Sequence, residues 1–360
     1  MLHAIIMAGG TGTRFWPASR SATPKQLLQL VGQSTMIRQT VDRLSELVAP
    51  AQTLIVTNQR LIDPISSQLP ELPAASLVGE PCKRDTAPCI GLAALLVSQD
   101  DPDATMAVMP ADHVILATDK FQASMRQAEA MVQANPQQII TFGIRPSYPA
   151  EIFGYIQRDA ELAVAEAVAP SYKVKQFREK PDAATATQYL ESGDYFWNSG
   201  IFVWRAKTIL DALAERQPVM LAHLEKIVAA WGTDQQEQVF TAEFTAIDGI
   251  SIDYAVMEHA TDVAMIEAPF DWDDLGGWQS LARLAGTDDN GNTIIGKHLG
   301  LNTEDSIVRS SDDHLIVTLG MKDCIVVHTP DATLVANKND EESIRKIVKE
   351  LEARGWDEHL

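Results

Sequence analysis

An apolar run, Ala4-Ile5-Ile6-Met7-Ala8, stops abruptly at Gly9-Gly10-Thr11-Gly12. A short continuous run ended by glycines reads as a strand buried on both faces, the kind found in parallel sheets covered by helices. The glycines permit close backbone approach to a ligand, with the N–H groups from Ala8, Gly9 and Gly10 through Thr11, Gly12 and Thr13 turned toward it. Such a loop is expected at the carboxyl end of a central sheet, where α/β proteins bind ligands. No aspartate or glutamate precedes Asp42, although the 360-residue chain has a formal net charge of −20. Arg14 and Lys25 therefore stand in a stretch free of acids, and the combination predicts a phosphate site.

The negative total excludes a nucleic-acid surface, which needs Lys and Arg clustered over a broad face. A small phosphorylated ligand stays compatible with it. A few local cations and oriented amides act at short range, and salt screens the distant field beyond about 8 to 10 Å. No apolar run approaches the roughly 18 to 20 residues that span a bilayer, and no basic segment leads into an apolar stretch and cleavage site. No membrane partner and a cytoplasmic location are the expectation. Cys82, Cys89 and Cys324 have no metal-type spacing and read as free thiols.

Strand-like runs alternate with helical periodicity to about residue 145. Strands are expected at 2–7, 53–57, 76–78, 105–109 and 138–142, with helices at 35–48, 86–98 and 120–134. This order predicts an α/β fold: a Rossmann-like, mostly parallel sheet flanked by helices. A more mixed section follows, with strands near 154–157, 173–177 and 200–204 and helices near 206–215, 220–231 and 253–260. Turn residues cluster at Asp288-Asp289-Asn290-Gly291-Asn292, and the division into residues 1–287 and 288–360 is placed there. The second part reads as a small β-rich unit, a candidate short left-handed β-solenoid, from apolar runs recurring roughly every ten residues. It ends on a helix with Ile344, Ile347, Val348 and Leu351 on one stripe, and Asn339 with Glu342 resembles a capping box. That helix is expected to cover its own β unit, with a homodimer contact as the alternative.

Two common nucleotide loops do not fit. A dinucleotide fingerprint counted from Gly10 needs Gly or Ala where Phe15 stands, and a Walker loop from Gly9 needs Gly at Arg14 and Lys at Phe15. The stretch from Gly9 to Arg20 and Pro24-Lys25-Gln26 instead resemble the opening of the sugar-nucleotide pyrophosphorylases. Phe15-Trp16-Pro17 is similar to the mannose-1-phosphate guanylyltransferase group among them. Arg84-Asp85-Thr86-Ala87-Pro88, Pro110-Ala111-Asp112-His113, Phe177-Arg178-Glu179-Lys180-Pro181, Trp197-Asn198-Ser199-Gly200 and Asp271-Trp272-Asp273-Asp274-Leu275-Gly276 extend the resemblance over most of the chain.

That resemblance implies transfer of GMP from GTP to mannose 1-phosphate, with Arg14, Lys25, Asp112 and Asp274 in catalytic roles. It also implies that Asp112 and Asp274 meet to hold Mg²⁺, which favours oxygen ligands and commonly uses one or two carboxylates plus substrate phosphates. Asp271 and Asp273 are rivals for the second position. On the sugar side, Glu179 can accept from vicinal hydroxyls, Lys180 can neutralise the 1-phosphate, and Asn198 offers both donor and acceptor. Gly154 and Gly200 allow close approach, while Trp197 suits core or sugar platform equally. Glu80 is a candidate acceptor for guanine N1–H and N2–H₂. Arg84, Asp85 and Thr86 open a helix and could touch base, ribose or phosphate, with plain helix capping by Asp85 as the simpler reading. Another nucleotide or hexose 1-phosphate would leave the shared residues looking the same, and a silent sugar-nucleotide sensor would not need the metal pair. Longer relatives carry an added isomerase domain, and the tail here has no His- and Glu-rich cluster, so a single activity is expected.

Overall fold

The computed structural model describes residues Met1–Leu360. The β-strands of the larger sheet are β1 (Leu2–Ala8), β2 (Thr53–Asn58), β3 (Leu77–Glu80), β4 (Thr105–Pro110), β5 (Ile139–Ile144), β6 (Tyr155–Leu162), β7 (Ser171–Arg178), β8 (Tyr195–Arg205) and β9 (Val263–Glu267). The helices are α1 (Met36–Leu44), α2 (Ile62–Gln68), α3 (Thr86–Asp100), α4 (Thr118–Ala134), α5 (Ala183–Ser192), α6 (Ala206–Arg216), α7 (Pro218–Ala229), α8 (Gln236–Thr245), α9 (Ile252–Ala255), α10 (Trp278–Ala285) and α11 (Ile344–Ala353). No helix is long and apolar enough to cross a membrane.

The chain packs into two compact units that do not follow chain order. One comprises Met1–Gly9, Val41–Ala111 and Ile115–Trp272; the other gathers Gly10–Thr40 and Asp112–Val114 with Asp273–Leu360. In the second unit, segments distant in sequence share one core.

In the first unit the sheet runs β3-β2-β1-β4-β8-β5-β9-β7-β6. Only β7 and β8 oppose the direction of the other strands, so the sheet is mixed but mostly parallel. Side-chain alternation splits the buried strands between two helical layers. Ile5, Val56 and Val108 join Ile90, Leu92 and Ala93 of α3, with Leu213 of α6 and Leu224 of α7, in one core. Phe142 instead faces Phe270, whose other neighbour is Phe121 of α4.

Four helices without a sequence expectation appear: α2, α5, α8 and α10. For α5 the signals were present: Asp182 accepts from Thr185 N at 2.8 Å, and Gly193 ends the helix at φ +71°. The helix expected at 253–260 is only α9 followed by a 3₁₀ turn, Met257–His259.

In the second unit the strands are β10 (Thr293–Ile295), β11 (His298–Leu301), β12 (Ile307–Ser310), β13 (Ile316–Leu319), β14 (Cys324–Thr329) and β15 (Ala332–Asn337). Parallel ladders join β10 to β12, β12 to β14, and β11 to β13, while β15 returns antiparallel on β14. Parallel neighbours that are successive turns of chain are the pattern of a solenoid. Ile307, Ile325, Val327 and Leu334 from these strands share a core with Phe15, Trp16, Leu275, Trp278, Ile344 and Leu351. The terminal helix thus covers its own unit. The expected capping box is absent: Asn339 and Glu342 lie in a 3₁₀ stretch, Lys338–Ser343, and α11 begins without a side-chain cap.

Candidate active site

In the second unit the glycine segment turns at Gly12, whose φ of +62° suits glycine. A side chain there would also collide with Lys25, since an added Cβ would lie 2.3 Å from Lys25 Cβ. Ser19 Oγ donates to Gly12 O at 2.8 Å. Phe15 anchors the following 3₁₀ turn by packing edge-on to Trp278 at 5.0 Å between ring centroids. Around Gly10 nothing lies within 4 Å of an added Cβ, so the backbone is open to a ligand.

Lys25 is buried, and its Nζ donates to Asp112 Oδ2 at 2.8 Å and to the backbone carbonyl of Asp274. Asp112 and Asp274 are brought together by an isolated antiparallel bridge: Val114 N donates to Asp273 O at 2.9 Å and Asp273 N to Val114 O at 3.1 Å. Burial alone would raise the Asp112 carboxyl, but the Lys25 ammonium, then His113, outweigh it and hold it below the usual range. Burial pushes the Asp274 carboxyl up to about 6, Lys25 opposing and Asp273 and Asp112 adding to the rise. Asp274 Oδ1 is buried without a hydrogen-bond partner. Asp273 is committed elsewhere, to Arg283 at 3.0 and 3.1 Å and to Leu275 N at 2.8 Å, and Asp271 is exposed.

Arg14 donates through Nη1 to Gly276 O at 2.8 Å, and Glu342 Oε1 lies 2.8 Å from its Nε. Leu275, between the Asp274 and Gly276 contacts, sits at φ +47°, a sparsely populated conformation for a branched side chain and the kind of strain that gathers at functional sites. The donor set fits a magnesium ion. Two carboxylates, one with an orphaned oxygen, suit a hard cation that keeps waters and takes phosphate oxygens, and no group of three or more His, Cys, Asp or Glu forms an all-protein cage.

In the first unit, Gly154, Glu179 and Asn198 converge. An added Cβ on Gly154 would lie 2.5 Å from Glu179 Oε2, and Asn198 N donates to Gly154 O at 2.8 Å. Asn198 Oδ1 accepts from Thr141 Oγ1 at 3.3 Å and Gly200 N at 3.2 Å, while its Nδ2 donates to Asp253 Oδ1 at 3.2 Å. Lys180 adopts φ +45° and pairs with Glu179. Burial would lower its ammonium, but Glu179 outweighs that and holds it above the usual range. Sequence reading missed Asp253, whose only signal was an acidic residue in the first turn of a helix capped by Ser251. Burial, then Glu179, pushes the Asp253 carboxyl up to about 7. Trp197 belongs to the core, packed against Tyr148 and Phe153 with centroids 4.8 and 5.0 Å away.

The same unit holds Glu80 and the Arg84–Thr86 motif. Glu80 ends β3 buried, with Oε1 unpartnered, and burial pushes its carboxyl up to about 8. Arg84 donates to the carbonyls of Lys83 and Thr245. Asp85, at φ +67°, caps α3 by accepting from Thr86 N at 2.9 Å. Thr86 Oγ1 accepts from Ile252 N at 2.8 Å, and Ala87 N donates to Ile250 O at 3.1 Å. The start of α3 is therefore stapled to the segment carrying Asp253, and Asp85 adds to the rise of the Asp253 carboxyl.

Comparison with known proteins places these clusters in context. Residues 3–290 match the family model for nucleotidyl transferases, and residues 296–351 match that for the mannose-phosphate isomerase/GMP-like β-helix domain. A mannose-1-phosphate guanylyltransferase of Escherichia coli K12 is 38% identical over 99% of this chain and 75% of its own length. One from Klebsiella pneumoniae is 37% identical over 98% and 74%. A Thermus thermophilus crystal structure described as a mannose-1-phosphate geranyltransferase superposes with a TM-score of 0.84 and 31% identity, covering 98% of this chain and 99% of that one. Fold, motifs and full-length similarity agree: the chain is a nucleotidyltransferase and belongs to the mannose-1-phosphate guanylyltransferase family.

Proposed function

We propose that the chain transfers GMP from GTP to α-D-mannose 1-phosphate in the cytoplasm, forming GDP-mannose and pyrophosphate. The observation that carries this reading is the convergence of Lys25, Asp112 and Asp274, with one Asp274 oxygen left unpartnered, beside a glycine turn that also holds Arg14. The names of the relatives supply the substrates.

An oxygen of the sugar phosphate forms the new bond to the α-phosphorus as the bond to the leaving pyrophosphate breaks. The attacking phosphate is already ionised, so no protein nucleophile or general base is needed, and positioning with charge stabilisation supplies the catalysis. The Gly9–Thr13 amides, Arg14 and Lys25 hold the leaving phosphates. Asp112 and Asp274 would hold Mg²⁺, which supplies charge neutralisation to the phosphates when bound. Glu179 and Asn198, with Asp253 behind it, accept from or donate to sugar hydroxyls, and Lys180 neutralises the 1-phosphate. Glu80 reads guanine N1–H and N2–H₂.

The test is pyrophosphate release by the purified chain with Mg²⁺, crossing GTP, ATP, UTP and dTTP against mannose, glucose and N-acetylglucosamine 1-phosphates. Release confined to the GTP and mannose 1-phosphate pair supports the reading. Preference for another pair overturns the substrate assignment, and no release from any pair overturns catalysis by this site.

A further inference from the structure

Two adjacent carboxylates in the second unit, Glu341 and Glu342, belong to neither ligand set. Helix α10 starts after Gly277, which has no side chain to accept from the first free amides, so the helix lacks a cap of its own. Glu341 fills that role from the other end of the segment. Its Oε1 accepts from Gln279 N at 3.0 Å and its Oε2 from Gln279 Nε2 at 3.4 Å, while Gln279 Nε2 also donates to Lys338 O at 2.9 Å. An added Cβ on Gly277 would stand 2.5 Å from Glu341 Oε1, so the missing side chain is what admits the carboxylate. A negative group there also meets the positive end of the helix dipole.

The loop that feeds α10 is the one with most to position. It carries Asp274, offers Asp274 O to Lys25 and Gly276 O to Arg14, and contains the strained Leu275. One residue beyond the cap, Glu342 Oε1 stands 2.8 Å from Arg14 Nε, near enough to pair by charge though Nε makes no aligned hydrogen bond. The Arg14 guanidinium is thus held on two sides, by the Gly276 carbonyl and by Glu342.

We propose that Glu341 and Glu342 are positioning residues for phosphoryl transfer: Glu341 caps α10 in trans and fixes the Asp274 loop, and Glu342 sets the direction of Arg14. The proposal rests on Arg14 and Asp274 serving the phosphates. It ties the Lys338–Ser343 stretch of the β-rich part to the reaction, a role beyond holding the unit together.

The test uses the full-length chain with Glu341→Ala, Glu341→Gln, Glu342→Gln, Arg14→Ala and the Arg14→Ala/Glu342→Gln pair, read by amide hydrogen exchange at residues 274–279 and by kcat and KM separately. Glu341→Ala is expected to speed exchange at the Gln279 amide and lower kcat about 10- to 100-fold, the range for groups that orient ligands. Glu341→Gln keeps an acceptor oxygen and should recover most of the rate. Glu342→Gln should lower kcat, and the double variant should be no slower than Arg14→Ala alone, since both changes act through one guanidinium. Unchanged exchange in Glu341→Ala, a lower triphosphate KM with intact kcat in Glu342→Gln, or additive losses in the pair would each overturn the proposal. If Glu341→Ala does not fold, the exposed Glu342 still decides through the pair. Near-normal turnover of Arg14→Ala would reject the phosphate assignment instead, while the exchange result would still decide the capping.

Discussion

Lys25 Nζ stands 2.8 Å from Asp112 Oδ2, so the cation expected to meet phosphate is paired with a carboxylate expected to meet metal. The pairing has a physical reason: Asp274 lies near enough for its charge to be felt with that of Asp112, and without the ammonium the two would repel across a buried site.

Lys25→Ala is therefore expected to act on catalysis first. Loss of one preorganised cation should lower kcat by about 3 to 4 kcal/mol in barrier terms, on the scale of an oxyanion donor. The protein should still fold but melt lower, because the Asp112 carboxylate loses its buried partner. Steady-state kinetics with a thermal melt checks this, and near-normal kcat would remove Lys25 from the mechanism.

Asp274 and its neighbour should separate cleanly. Asp274→Asn removes a buried oxygen that has no partner, so turnover should collapse while the melting temperature holds or rises. Asp273→Ala removes the acceptors of Arg283 and of Leu275 N, and should destabilise the fold by about 1 to 3 kcal/mol. Denaturant melts with a magnesium titration of activity distinguish the two; a folded Asp274→Asn with normal turnover would end its assignment as metal ligand.

Glu80 carries a pH prediction. Its folded value of about 8 lies above the ordinary 4.5, so its contribution to stability is full below pH 4.5 and is lost as pH rises through about 8. Glu80→Gln cannot ionise. The variant should gain on the native chain by a few kcal/mol between pH 5 and 8, and should lose preference for GTP over ATP because guanine's two N–H donors favour the ionised carboxylate, which accepts at both oxygens as an amide cannot. Parallel melts at the two pH values settle the first point, and a pH-independent difference would contradict it.

Gly154→Ala should damage only the sugar side. The new Cβ would fall 2.5 Å from Glu179 Oε2, forcing that carboxylate to move. The expected result is a higher KM for the sugar phosphate, by about tenfold or more for a misplaced polar partner, with nucleotide affinity kept. Equal losses for both substrates would show that Gly154 serves the fold instead.

The local elements were legible because their signals are local. The run before Gly9 had to be a buried strand, and the strand–helix alternation through residue 145 produced the sheet expected of it. The capping box at Asn339 and Glu342 failed for the complementary reason. Spacing showed an acid three residues on, but Glu342 faces Arg14, and the adjacent Glu341 caps a different helix. Asp253 went unseen because a first-turn acid is commonplace, and only the packing of α9 beside Asn198 and the start of α3 makes it a buried carboxylate.

The amino-acid sequence by itself determined which backbone could turn at Gly12, where strands begin and end, and which family's motifs the chain carries. Those are properties of neighbours along the chain, governed by steric limits and side-chain periodicity. Tertiary structure alone decided that a two-residue bridge, Val114 to Asp273, carries Asp112 to Asp274, and that the glycine segment shares a core with the C-terminal strands. The reason is that charge proximity and desolvation depend on distance in space, which residue spacing does not encode.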